Sequence, residues 1–335
     1  MLILKLYELT SEEIISIKKY QVDDFKIMNS LLRQGLESEV RINSSNSKSY
    51  QFMTRSLMEQ SLEDIKNLYS AIIKSYMKNG SQKPGKQLFR GTQDSLIESM
   101  KNNASSFLSA TTNINQTLTF SRTYNKASNI ADDFDKAVML IDGNVPWLSI
   151  ENEIGGLEDE VLFVPAKMHI SEKQFTTNQK YGKEYTVVLS EIDISEKTPE
   201  EIEQMRNAIL HNTEKMSKYL KYILVVKDNP NFSNNPRTLS LINEYNDWKK
   251  LVVEYNHQQY KIIKNKFINN PNLYQDKEEN LKDQREIIDY IKQQIEQVKR
   301  ANLELIDLSE IISSREFLNN PDTKQVEKNN GNKQK

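Results

Sequence analysis

Across the first eighty positions apolar residues recur at helical spacing. Thr10 and Glu13 fit a capping box, in which each side chain satisfies the other's free backbone N–H. Ile14, Ile17, Tyr20, Phe25, Met28, Leu31 and Leu32 then form one helical stripe, and Gly35 marks a stop. The polar run 43–49 reads as a loop, and a second helical pattern extends from Met53 to Met77. Beyond it the period shortens. Gln87 to Arg90, Ser106 to Ser109, Ala137 to Ile141, Val161 to Val164 and Tyr185 to Leu189 are short β-prone runs, punctuated by turn signals at Asp142–Gly143, Gly155–Gly156 and Pro165.

From Thr198 the helical period returns. Thr198 supplies an N-cap, Pro199 the first helical position and Glu201 the capping-box acid. The run 222–226 suits a helix or a strand equally. Leu241, Tyr245, Trp248, Val252 and Tyr255 alternate at four and three, and Ile288, Ile291, Ile295, Val298, Leu305 and Ile312 continue in kind, with Asn302 at one expected apolar position. Such alternation predicts a coiled-coil-like hairpin of long antiparallel helices. After Pro321 the chain is polar and is expected to be disordered. No internal repeat is visible.

Composition narrows the function. With 45 basic and 47 acidic residues the net charge is −2, which gives no support to a general nucleic-acid binder. Cysteine is absent, so disulfides and thiol chemistry are excluded, and three scattered histidines (His169, His211, His257) offer no metal-ligand spacing. No metal is therefore expected. The opening apolar run is too short for a signal peptide and lacks a basic start. No stretch approaches the ~20 apolar residues that span a bilayer.

Three clusters carry chemistry. Arg90 ends one β-prone run and is followed by Gly91. Ser109, Ala110 and Thr111 end the next. Glu158 and Glu160 flank Asp159 at the start of a third. Singly, each has a bland reading as a strand end, a cap or a solvated turn. Their order is more informative. A forked, permanently charged arginine suits a pyrophosphate, and a carboxylate suits an oxocarbenium-like ribose. A guanidinium acceptor is protonated at physiological pH and needs a second carboxylate to bind and deprotonate it. Glutamates two apart on an extended segment point to the same side.

In this order the residues resemble the arginine–serine–glutamate class of ADP-ribosyltransferases, in the clostridial-toxin-like branch. Phe89-Arg90-Gly91 matches the family's strand-end arginine, and Glu158-Asp-Glu160 its paired glutamates. Ser109-Ala-Thr111 matches its Ser-Thr-Ser strand, with alanine in place of the middle threonine. Phe120 stands eleven positions after Ser109, where the family has a nicotinamide-stacking aromatic. The stretch Tyr20 to Phe25, followed by Ile27 to Asn29 and Leu31 to Arg33, resembles the helix that closes over NAD+. The segment 143–157, with Trp147, resembles the mobile acceptor-recognition loop. The likeness covers residues 8–194.

The resemblance implies an α+β fold, an ADP-ribosyltransferase-like split β-sandwich with an N-terminal helical cap, to which the periodicity adds a C-terminal all-α region. The divisions are 1–80 for the cap, 81–197 for the β core, 198–320 for helices that select the target or act as scaffold, and 321–335 for the tail. It also implies transfer of ADP-ribose from NAD+, as co-substrate, to an arginine of a target protein. Glu160 would act at the ribose, Glu158 at the guanidinium, Arg90 at the phosphates and Ser109 beside Glu160, with Gly91, Phe120, Tyr20 and Phe25 completing the NAD+ site. A bacterial toxin or effector delivered into another cell, by a route other than a Sec signal, is the expected setting. An NAD+ glycohydrolase and a non-catalytic binding module on the same fold remain the alternatives.

Overall fold

The computed structural model describes residues 7–33, 39–40, 49–50, 52–101, 106–121, 123–124, 131–132, 136–155, 159–172, 182–226, 235–269 and 306–307. The chain is α+β. Helix α1 (Ser11–Lys19) opens with the expected capping box: Thr10 Oγ1 accepts from Glu13 N, and Glu13 accepts from Thr10 N. A π turn, Tyr20–Asp24, joins it to α2 (Phe25–Arg33). That turn shifts the apolar stripe. Ile15 and Ile17 are buried in α1, and Ile27, Met28, Leu31 and Leu32 in α2, whereas Phe25 is 37% exposed. A helix of constant period would have carried Phe25 inward; the i→i+5 closure rotates it out.

Helix α3 (Arg55–Lys78) is capped by Thr54, whose side chain accepts from Leu57 N. Its Met58, Leu62, Ile65, Leu68, Tyr69 and Ile72 are buried, and each such aliphatic contributes about 1.5–3 kcal/mol on burial. They pack toward α1, the sheet and the C-terminal helices.

Seven strands form the principal sheet: β1 (Leu88–Gln93), β2 (Leu108–Thr111), β3 (Lys136–Gly143), β4 (Trp147–Ser149), β5 (Glu160–Phe163), β6 (Lys167–Glu172) and β7 (Lys183–Ser190). Their order is β6-β7-β3-β1-β2-β5-β4. All neighbours are antiparallel except β7 and β3. Gly182 precedes β7 at φ +71, where a Cβ would stand 2.0 Å from the Lys136 carbonyl oxygen, so only glycine fits that approach. The two-sheet expectation takes a particular form. β1 pairs with β3 over six residues but meets β2 at one bridge, Phe89↔Thr111. The sheet is thus a four-stranded and a three-stranded part joined at a narrow seam.

Short helices α4 (Ile97–Lys101), α5 (Ile114–Ser121) and α6 (Ile150–Ile154) connect strands. The segment 143–157, expected to be a loop, contains β4 and α6. Trp147 is buried there, and its Nε1 donates to the Gln82 carbonyl at 2.6 Å, so it anchors a hairpin.

Two long helices follow, α7 (Pro199–Val226) and α8 (Pro236–Lys264). The ambiguous run 222–226 closes α7 as helix. Tyr222 meets Thr238, Lys215 meets Glu244, and Trp248 Nε1 donates to the Ile209 carbonyl, a series that makes the pair antiparallel. The pair is tied to the rest. Ser217 donates to the Met53 carbonyl at 2.6 Å, and Gln258 and Lys261 donate to the Ser195 and Ile194 carbonyls. Tyr260 packs on Tyr69 of α3 with ring centroids 5.3 Å apart, and one apolar core runs from Ile17 to Phe267. The expected last helix lies outside the described residues except at Ile306–Asp307, which pairs as a strand with Ser49–Tyr50. At Ile306–Asp307 themselves the chain is extended and not helical. Backbone pairing outweighs the 3-4 pattern there. The tail 321–335 also lies outside the described residues.

His257 of α8 gives the fold a pH dependence. Its Nε2 is buried without a partner among the described residues, and burial pushes the imidazole down to about 4, against a smaller opposite pull from Glu254. In the unfolded chain its pKa returns to about 6.5. The unfolded state therefore binds the extra proton between these values. Stability from this group is fully present above pH ~6.5 and is lost as pH falls toward 4, by up to about 3 kcal/mol. The melting temperature is expected to fall across that window, and less steeply in His257→Gln. Equal slopes would assign the acid sensitivity to other groups.

Candidate active site

The narrow seam between β1 and β2 is where Arg90, Ser109 and Glu160 come together. Arg90 lies on β1 and sends Nη1 to the Ser109 carbonyl of β2 at 2.6 Å, bridging the seam where backbone pairing is sparse. On the far side of β2, Thr111 stands opposite Glu160 and Ser109 opposite Leu162. Directly paired residues share a face, as do residues two apart, so Ser109, Thr111 and Glu160 present their side chains on one face of this ladder. Gly91 sits one residue past Arg90, in register with Val138.

The π turn brings a fourth group to the seam. Tyr20 is 4% exposed and stands edge-on to Phe107 at 5.8 Å. Its phenol oxygen accepts from Asn29 Nδ2 at 3.1 Å and is hydrogen-bonded to the Ser109 side chain. Burial holds the phenol above the usual tyrosine range, against the opposite pull of Ser109, Asn29 and Arg90. Burial also lowers the Arg90 pKa; Tyr20 and Glu160 act against that shift, and Arg33 acts with it. A guanidinium is not deprotonated in proteins, so Arg90 stays charged. Arg90, Ser109, Glu160 and Tyr20 thus form one mutually interacting group, with Arg33 and Asn29 at its border.

Two polar atoms in this group are orphaned. Arg90 Nε and Asn29 Oδ1 are buried and have no hydrogen-bond partner among the described residues. Buried donors and acceptors left unpaired cost free energy, and at a site they mark places where a ligand or water completes the bonding. A cationic donor and a neutral acceptor on residues that both interact with Tyr20 fit a ligand that carries both anionic oxygens and hydroxyls.

The other expected residues stand differently. Phe25 lies at the rim, its ring 6.1 Å from Tyr20 and partly exposed. Phe120 belongs to α5, which packs on β1, but its side chain is outside the described residues. Glu158 is outside them too. The extended geometry expected to align Glu158 with Glu160 is corrected: β5 begins only at Glu160, and Asp159 is left-handed at φ +47. Two-residue alternation holds for extended backbone alone, so it does not relate these two glutamates. Asn29 and Arg33 lie in the stretch likened to the helix that closes over NAD+, but neither drew an individual role from the sequence. A usable signal was there, because Asn29 interrupts the buried stripe between Met28 and Leu31.

A surface hollow of about 490 Å³ is lined by Lys83 to Leu88 and Leu140 to Gly143. Among the described residues, no three His, Asp or Glu side chains converge as metal ligands, and no helix is long and apolar enough to cross a membrane.

No family model matches the chain, and no curated protein does. Two of the solved structures similar to it are of ADP-ribosylating proteins. One is the ADP-ribosyltransferase Vis in complex with M6 inhibitor, at 16% identity and TM-score 0.34, covering 56% of this chain and 76% of that one. Another is BECa, an ADP-ribosylating toxin of a binary enterotoxin of C. perfringens, with NADH, at 16% identity and TM-score 0.30, covering 55% of this chain and 44% of that one.

Proposed function

We propose that this chain transfers ADP-ribose from NAD+ to an arginine of a target protein. The observation that carries this reading is the meeting of Arg90, Ser109, Tyr20 and Glu160 at the sheet seam. Arg90, whose Nε is orphaned, would pair with the pyrophosphate, assisted by Arg33. Ser109 would hold Glu160, and Tyr20 would cover the bound dinucleotide. Glu160 would accept from the ribose 2′-OH and stabilise positive charge as the bond to nicotinamide breaks. Phe120 and Gly91 belong to the same proposed NAD+ site, and Phe25 to its rim. Glu158 would bind the acceptor guanidinium and take its proton as the new N-glycosidic bond forms at the ribose carbon.

The helices from residue 198 onward would bear on target choice and support α3. Delivery into another cell belongs to the same reading and rests on the family resemblance alone.

An NAD+ glycohydrolase is the second reading. It is favoured by the left-handed Asp159, which removes the geometric argument for pairing Glu158 with Glu160. Incubating the folded protein with NAD+ should release nicotinamide, and biotinylated NAD+ should label a band in a target-cell lysate. Nicotinamide release without labelling selects the glycohydrolase. Neither signal from a protein with an intact melt overturns both readings.

A further inference from the structure

Helix α1 is nine residues long and buries only two isoleucines, yet it also buries Glu13, Ser16 and Lys19. Lys19 Nζ lies 2.8 and 3.1 Å from the two Asp64 oxygens, and Ser16 Oγ donates to the same carboxylate at 2.9 Å. The Lys19 and Asp64 side chains are 5% and 7% exposed. Nearer the start of α1, Lys74 meets Glu13 at 3.0 Å, Ser70 also donates to Glu13, and Glu13 caps Thr10. Two buried ion pairs, 13 with 74 and 19 with 64, thus fasten α1 antiparallel to α3.

Such pairs add little net stability, because taking both ions out of water offsets their attraction. What they impose is register. Sliding α1 by one turn, about 5.4 Å, would leave each charge unpaired in the core. Two isoleucines impose no comparable penalty, since apolar contact is not directional. The residue after Lys19 is Tyr20, the group that the π turn sets against Ser109.

We propose that Lys19 and Asp64 are positioning residues for the seam site. Their buried pair sets the register of α1 on α3 and so places Tyr20 against Ser109 and Arg90. The consequence for NAD+ rests on the function proposed above; the placement of Tyr20 does not.

The test replaces both charges by apolar side chains, Lys19→Met with Asp64→Leu, in the full chain. Because the chain has no cysteine, nitroxides can be attached at Val22→Cys in the π turn and Val188→Cys on β7, which are 68% and 45% exposed. Electron–electron resonance then reads the distance between turn and sheet without any ligand. The expected result is a melt close to that of the parent, with the distance distribution shifted or broadened. KM for NAD+ should rise about tenfold, with kcat within about threefold. An unchanged distribution overturns the inference, and so does a shifted one with KM unaltered. Loss of folding overturns it too, since the pair would then be a stability element. If the parent neither binds nor cleaves NAD+ while the distribution shifts, the inference on Tyr20 stands and the proposed function falls.

Discussion

Glu160→Gln is expected to lower both NAD+ hydrolysis and arginine labelling by about 10²-fold or more, with KM for NAD+ little changed. The glutamine keeps nearly the same shape but no charge. Positive charge developing on the ribose would then meet a neutral amide, beside a seam that buries Tyr20. Catalysis depends on interactions stronger in the transition state than in the ground state, so the loss should fall on kcat. Glu160 heads β5 in register with Thr111 and is half-buried. The melt should therefore move little, and single-turnover nicotinamide release is the measurement. A variant that retains kcat within a few-fold would remove Glu160 from the chemistry.

Glu158→Gln is expected to separate the two activities. Arginine labelling should fall by about 10²-fold or more, the usual worth of a general base, while NAD+ hydrolysis stays within a few-fold. Water needs no carboxylate to release it from a guanidinium, whereas the acceptor arginine is charged until its proton is taken. The left-handed Asp159 breaks the strand alternation immediately before Glu160. Labelling near the parent level would sink the assignment of Glu158 as acceptor base. Hydroxylamine sensitivity of the product would then decide whether arginine is the acceptor at all.

Much of the fold was legible along the chain, and what escaped has a common cause. The β-prone runs around Leu88, Leu108, Ala137, Val161 and Tyr185 each became a strand. The two strands of the principal sheet that gave no such signal, β4 and β6, are its two edges. β4 is three residues long, and β6 exposes Lys167, His169, Ser171 and Glu172. An edge strand is paired on one flank only and can be short and polar, so it leaves little apolar pattern to read. Helix starts were clearer, because a capping box is local: Thr10 with Glu13 and Thr198 with Glu201 both form. The helical pattern through Ile306 failed for the converse reason. Pairing with Ser49–Tyr50 is a long-range event that no window of neighbours records.

The sequence by itself determined the identity and order of the chemical groups, Arg90, Ser109 and Glu160, together with the period of the elements bearing them. Those are local properties, written in neighbouring side chains and their spacing. Only the tertiary structure decided that β1 and β2 touch at a single bridge, that a π turn turns Tyr20 inward and Phe25 outward, and that Asp159 is left-handed before Glu160. It also decided that Lys19, Asp64, Glu13 and Lys74 are buried partners, although on an isolated amphipathic helix each would count as a solvated position. A charge can leave water only where its counter-ion waits, and for Lys19 that counter-ion lies 45 residues away on another helix.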